Sequence, residues 1–222
     1  MDTDWCHEEV LHYALDLFRE NNLSCTVFAT GHYAGLLRLT GAEFEIGLHP
    51  NFNDTTIAGY ENTLRALRQL YPQAEGVSSH AMTSSTPILN LFRKYGFSYD
   101  RNLLCYKIPQ AAAFQHYNGL WRVPIFWEDD IWFTVEPGVA FDESLLALER
   151  FRCNFNFHPL HLYLNTESVA HYQECKPLQH QPEALANHVG KGYGARSYFL
   201  DLVRHIKKEK IVTGLLKDFV KS

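Results

Sequence analysis

The sequence predicts a single α/β domain built on a mainly parallel sheet or a β/α barrel. Three observations carry that expectation. Helical and extended periodicities alternate along the chain, the pattern of repeated strand and helix units. At 222 residues the chain has the length of one large domain. Its 46% hydrophobic content, with 15 Phe, 12 Tyr and 4 Trp, can bury a sizeable core. No linker interrupts it, so residues 1–222 are read as one unit.

Val10, Leu11, Ala14, Leu15 and Phe18 share one helical face, and Asn21-Asn22 stops that helix before a strand-like stretch at residues 24–31. From Glu43 to His49 the residues alternate, with Phe44, Ile46 and Leu48 on one face. Pro50 ends the pairing and leaves His49 at the C-terminal end of a strand. Tyr60, Leu64, Leu67 and Tyr71 carry a second helix, and residues 76–80 are short and extended. Ser85-Thr86-Pro87 opens a third helix over Ile88, Leu91, Phe92 and Tyr95, closed by Gly96. Residues 119–130 read as extended, 143–151 as a short helix and 153–165 as a strand. Phe199, Leu202, Val203 and Ile206 mark a last helix, followed by a brief strand at 210–214. The stretch 165–195, where Gly190, Gly192 and Gly194 gather, reads as the most loop-like.

A formal net charge of −5 with scattered Lys and Arg lacks the footprint of a nucleic-acid binder. No apolar run approaches the ~18 residues of a membrane span. The five cysteines are odd in number and not closely paired, which fits neither a disulfide framework nor a zinc ribbon. A soluble cytoplasmic protein is the expectation.

In parallel α/β folds the chemistry gathers where strands end, because the loops there converge on one rim. That rule selects Asp2-Thr3-Asp4-Trp5, His49 to Asn53, Ser78-Ser79-His80, and His158 with His161. Carboxylate with imidazole is the ligand set of a divalent ion such as zinc, and three protein ligands leave a position open for water. Each residue has a plain structural use as well: an exposed terminal acid, or a histidine bonded to a backbone carbonyl. Their joint placement at strand ends points to a site. Glu128-Asp129-Asp130 lies between two aromatic runs, which suits a place on the rim, and Arg122 shares a strand face with Glu128 and could buttress a carboxylate. The tryptophans can stack on sugar faces or fill the core.

Together these segments resemble the polysaccharide deacetylase superfamily (carbohydrate esterase family 4, the NodB-homology fold), and in particular its divergent WbmS-like branch. Asp-Thr-Asp-Trp, followed by a helix and the strand Ser24 to Gly31, resembles the family's first motif, in which one acid is the catalytic base and the next binds metal. Asp4 matches the metal-binding acid; Thr3 stands where the base is usual, so the resemblance moves that role to Asp2. The second motif pairs two histidines four residues apart, whereas this chain has His49 and then Asn53. The third usually reads Arg-x-Pro; here Ser78-Ser79-His80 lacks the arginine and offers His80 as the missing ligand. His158 in Phe-Asn-Phe-His-Pro matches the last motif, whose histidine is the general acid. Gly192 to Arg196 also resembles the branch, with no chemistry attached.

The resemblance implies a distorted, seven-stranded β/α barrel whose first strand is clipped, since only Met1 precedes the acids. It implies a hydrolase that removes an N- or O-acetyl group from a carbohydrate, with a divalent metal, most simply zinc, on Asp4, His49 and His80. Asp2 is then the base and His158 the acid, with Arg122 and Asp129 orienting them; Asn53 and His161 are candidates for further ligands. The alternative is an inactive, carbohydrate-binding relative, given Thr3, Asn53 and Ser78.

Overall fold

The computed structural model describes all residues except 40–41, 54–55, 147–151 and 222. Among the described residues there are eight short strands: β1 Cys25–Ala29, β2 Phe44–Leu48, β3 Gly76–Val77, β4 Tyr99–Asp100, β5 Phe114–Gln115, β6 Trp121–Arg122, β7 Trp127–Glu128 and β8 Phe155–Asn156. Six form one sheet in the order β1-β2-β3-β4-β6-β5, parallel throughout except for β5. The other two, β7 and β8, form a parallel pair.

Backbone hydrogen bonds lace the two sheets together. The Asp2 amide donates to the Phe157 carbonyl, while the Thr3 amide donates to Phe28 and the Phe28 amide to Met1, so the first residues lie between β8 and β1. On the other side the Ile125 amide donates to Leu103 and the Phe126 amide to Asn154. Residues 119–130, which read as one extended run, are thus split near Pro124: the first part pairs with β4 and the second with β8.

The principal helices are α1 Glu8–Glu20, α2 Ala34–Leu37, α3 Ile57–Leu70, α4 Thr86–Lys94, α5 Asp129–Val135, α6 Pro159–Leu164, α7 Val169–Cys175, α8 Pro182–Leu185, α9 Ala195–Glu209 and α10 Leu216–Lys221. Val10, Leu11, Ala14, Leu15 and Phe18, the face the periodicity selects, are all buried, and α1 packs on α6 with α9 behind it. β1 and β2 are buried along their whole length, as expected of strands covered on both faces. Gly76 is required by packing: a Cβ there would lie 2.1 Å from the Tyr99 ring. That ring's hydroxyl donates to the buried Glu45.

Three expectations are corrected. Residues 153–165 are strand only at Phe155–Asn156; Pro159 sits at the first position of α6, where a missing amide proton costs nothing, and the chain turns helical. Residues 165–195 contain α7 and α8 rather than a long loop. Residues 210–214 form no strand. Of the helix expected at 143–151, Glu143–Leu146 is a 3-10 turn and the rest lies outside the described residues. All five cysteines are free. Among the described residues no helix is long and apolar enough to cross a membrane.

Candidate active site

Asp4 and Trp5 follow the segment beside β1 in a tight turn with φ of 40° and 56°, a left-handed conformation that costs a non-glycine residue of order 1–3 kcal/mol. The turn is tied down by Thr3 and Thr30: their hydroxyls lie 2.9 Å apart, the Thr30 amide donates to Thr3 Oγ1, and the Trp5 amide donates to Thr30 Oγ1. Its effect is to turn the Asp4 carboxylate toward His49, just past β2, and His80, just past β3. His49 Nε2 is 3.0 Å and His80 Nδ1 3.2 Å from Asp4 Oδ1. One donor atom from each of the three residues lies within 4.8 Å of the others. Burial alone would raise the Asp4 carboxyl, but the two imidazoles hold it well below the usual carboxylate range. Asp4 in turn raises His80.

Both ring nitrogens of His49 are buried without a hydrogen-bond partner; the close approach to Asp4 is not aligned as one. Buried polar atoms are ordinarily satisfied, and a bound ion is among the standard reasons for an exception. A carboxylate with two imidazoles, one of them with both ring nitrogens unpartnered, fits a divalent cation of the zinc class. The cluster opens to solvent through Asp4 and His80, whose side chains are 33% and 30% exposed, while His49 closes it below. Trp5 stands at this opening, 37% exposed, its ring edge-on to His80 at 4.7 Å.

On one side of the cluster lies Asp2, 3.7 Å from His49 Nδ1. Its Oδ1 takes a hydrogen bond from Arg101 Nη2, and Oδ2 takes one from Asn156 Nδ2 at 3.0 Å. Arg101 is fully buried, lies over the Phe28 ring and also donates to Ser78 Oγ. Burial would raise the Asp2 carboxyl; Arg101 and then His49 lower it.

On the other side His158 follows β8. Its Nδ1 is 2.6 Å from Asp129 Oδ1 and its amide donates to Asp129 Oδ2, so one fully buried carboxylate fixes both ring and backbone. Burial favours neutral imidazole, but Asp129 raises His158 well above its ordinary value. Nδ1 therefore carries the proton donated to Asp129, and Nε2 faces Asp4 at 3.5 Å. His161 lies one turn into α6, its Nδ1 3.0 Å from Thr166 Oγ1; burial pushes it down to about 4.

Asp2, Asp4, His49, His80, Asp129 and His158 thus converge. Asn53 does not: it is exposed and its amide oxygen accepts from Thr83 Oγ1. Arg122 does not reach this cluster either: it donates to Asp100 with Nε and Nη2, at 3.1 and 3.3 Å, so the arginine on Asp2 is Arg101. Arg101 and Asn156 escaped the sequence reading. Arg101-Asn102 follows the two-residue strand β4 and gives no periodic signal, although the same strand-end rule would have selected it. The glycines at 190, 192 and 194 are structural: a Cβ at Gly194 would lie 2.2 Å from the Asn165 carbonyl, and Asn165 donates to the carbonyls of Gly190 and Gly192.

No curated protein sequence matches the chain. A solved structure with which it shares 28% identity and a TM-score of 0.81, over 91% of this chain and 87% of the other, is WbmS of Bordetella bronchiseptica, assigned as a polysaccharide deacetylase involved in O-antigen biosynthesis. More distant are a family 4 carbohydrate esterase from Streptomyces lividans, solved with acetate (11% identity, TM-score 0.48, 96% and 88% covered), and a pseudoenzyme of that esterase family from Bacillus anthracis (12%, 0.48, 99% and 63%). The model of the WbmS-like polysaccharide deacetylases matches residues 1–176, about four-fifths of the sequence, and the chain belongs to that family.

Proposed function

We propose that this protein is a metal-dependent deacetylase that removes an N- or O-acetyl group from a carbohydrate during surface-polysaccharide synthesis, acting in the cytoplasm, where its five free cysteines would stay reduced. The observation that carries the reading is the meeting of Asp4, His49 and His80 around one point, with a buried carboxylate, Asp2, on one side and an Asp129-bound imidazole, His158, on the other.

Asp4, His49 and His80 would hold the cation. When bound, a divalent ion such as zinc supplies Lewis acidity toward a carbonyl oxygen and toward water. Asp2, ionised because Arg101 faces it, accepts the proton of the attacking water. His158 donates from Nε2 to the departing amine or alkoxide, its Nδ1 proton being held by Asp129. Each such proton transfer contributes typically ~10²–10⁴-fold. Trp5 offers an aromatic face to a sugar at the mouth.

The test is elemental analysis of purified protein after loading with zinc, together with acetate release from acetylated oligosaccharides, for the wild type and His49→Ala. The reading expects about one equivalent of metal in the wild type, little in the variant, and acetate only from the former. A wild type that loads no divalent ion overturns it. Metal and glycan binding without acetate release would favour the inactive carbohydrate-binding relative.

A further inference from the structure

Glu128, Asn156 and Asp2 stand in a row on three neighbouring extended segments. Glu128 and Asn156 are register partners in the parallel β7–β8 pair, so their side chains leave the sheet on one face. Asp2 is joined to the far side of that strand by its amide. The two protons of the Asn156 amide are shared out along the row: Nδ2 donates to Glu128 Oε1 at 2.8 Å and to Asp2 Oδ2 at 3.0 Å. All three residues are buried, at 5%, 0% and 3% exposure.

We propose that Glu128, acting through Asn156, is a positioning residue that fixes the Asp2 carboxylate. The inference rests on the assignment of Asp2 as the base.

Two carboxyl groups bridged by one amide in a dry site do not both stay ionised, and the surrounding charges decide which one does. Arg101 is on the Asp2 side. Among the described residues Glu128 has no ion pair, and its neighbours are Asp130 on the start of α5, His158 past β8, Asp2 beside β1 and, more distantly, Arg101 past β4. Burial first, and then Asp130, push the Glu128 carboxyl up to about 8. A neutral Glu128 still accepts the Asn156 proton, and it leaves the arginine's field to Asp2 alone. An ionised Glu128 would compete for the amide and add a second charge beside Asp2, loosening the geometry that the base needs. Misplacement on the 1 Å scale costs about 10²-fold in rate.

The test uses Glu128→Gln, Glu128→Ala and Asn156→Ala in zinc-loaded protein with a fluorogenic aryl acetate. Glu128→Gln keeps the neutral acceptor, so kcat should stay within about threefold of wild type, while Glu128→Ala and Asn156→Ala should lose about 10²-fold in kcat with KM and metal content little changed. The second readout is independent of activity. An acid whose folded pKa is raised keeps a proton that the unfolded chain gives up, so stability falls as pH rises through the window between the two values. Wild-type Tm should therefore decline from about pH 5 to about pH 8 in a way that Glu128→Gln does not share. Parallel Tm profiles, or a Glu128→Gln variant as impaired as Glu128→Ala, overturn the proposal. Should no variant and no wild type release acetate, the deacetylase reading fails, while the difference in Tm profiles still decides whether Glu128 is uncharged.

Discussion

Replacing Arg101 by Met tests the electrostatic frame of the site without touching a candidate metal ligand. Arg101 is fully buried, and the Asp2 carboxylate it faces is 5% exposed, so the substitution strands a charge that water cannot reach. Breaking a buried pair from one side typically costs about 3–5 kcal/mol. With a urea slope of about 3 kcal/mol/M, the midpoint should fall by about 1–1.7 M. Asp2→Asn alone strands the arginine instead and should also be costly. The double variant should be less unstable than the sum of the two by at least about 2 kcal/mol, because neither charge is then unpaired. The pH dependence fixes the sign. In the wild type the Asp2 carboxyl is lowered below 3.8, so its contribution is present above that value and is lost only as pH falls through the lower folded pKa. Without Arg101 burial dominates and the folded value rises above 3.8; the deficit of Arg101→Met should be largest at neutral pH and shrink as pH approaches 4. Chelator in every sample keeps metal linkage out of the comparison. A deficit under about 1 kcal/mol, or one that does not change with pH, would falsify this account.

Asp129→Asn removes the carboxylate that raises His158, so the imidazolium should deprotonate at lower pH and the alkaline limb of kcat should move down the pH scale; an unmoved limb places the acid elsewhere. Trp5→Ala should raise KM for an accepted acetylated oligosaccharide by about 10-fold, from the loss of a stacking face worth about 1 kcal/mol or somewhat more, with kcat and metal content nearly unchanged. Gly194→Ala drives a Cβ to 2.2 Å from the Asn165 carbonyl and should cost about 1–3 kcal/mol in a thermal melt. Gly31→Ala, which meets nothing within 4 Å, is its near-neutral control.

The parts of the fold that periodicity could reveal are those where one element buries one face. α1, α3, α4 and α9 are long enough for a 3.6-residue pattern to stand out, and β1 and β2 are bounded by turn residues. Strand ends placed His49, His80 and His158 for the same reason: a proline or a cap follows each strand closely. The second half of the chain was harder. From Asn154 to His158 the aromatic alternation is so regular that it masked Pro159, and the helix that carries His161 was read as more strand. α7 and α8 have seven and four residues, too few for a period to accumulate. Arg101 has no periodic signature, and its role is hidden because its partner Asp2 is 99 residues away and only tertiary folding brings the two together. The Gly190 to Gly194 run was visible as a motif but not interpretable, since its reason is the backbone of Asn165.

Three departures from the pattern that the sequence resemblance implies raise the reading of a spent site, and each has a structural use that bears on it. Thr3, in place of an acid, ties the left-handed Asp4-Trp5 turn to Thr30. Ser78, in place of an arginine, accepts a hydrogen bond from Arg101, which brings the guanidinium to Asp2 from the neighbouring strand. Asn53, in place of a histidine, lies outside the cluster, and His80 stands beside Asp4 instead. A fold that merely held a glycan would gain stability by filling this centre with apolar side chains, since buried charged groups are rarely better than hydrophobic ones of the same volume. Instead Asp2, Asp129, Arg101 and His158 are all buried, and each has a directed partner. Such groups, with their proton affinities displaced in opposite directions across a few ångströms, are what acid–base chemistry requires and what packing alone does not. That separation, a carboxylate held low on one side of Asp4 and an imidazole held high on the other, is the charge arrangement in which the proposed base and acid would work.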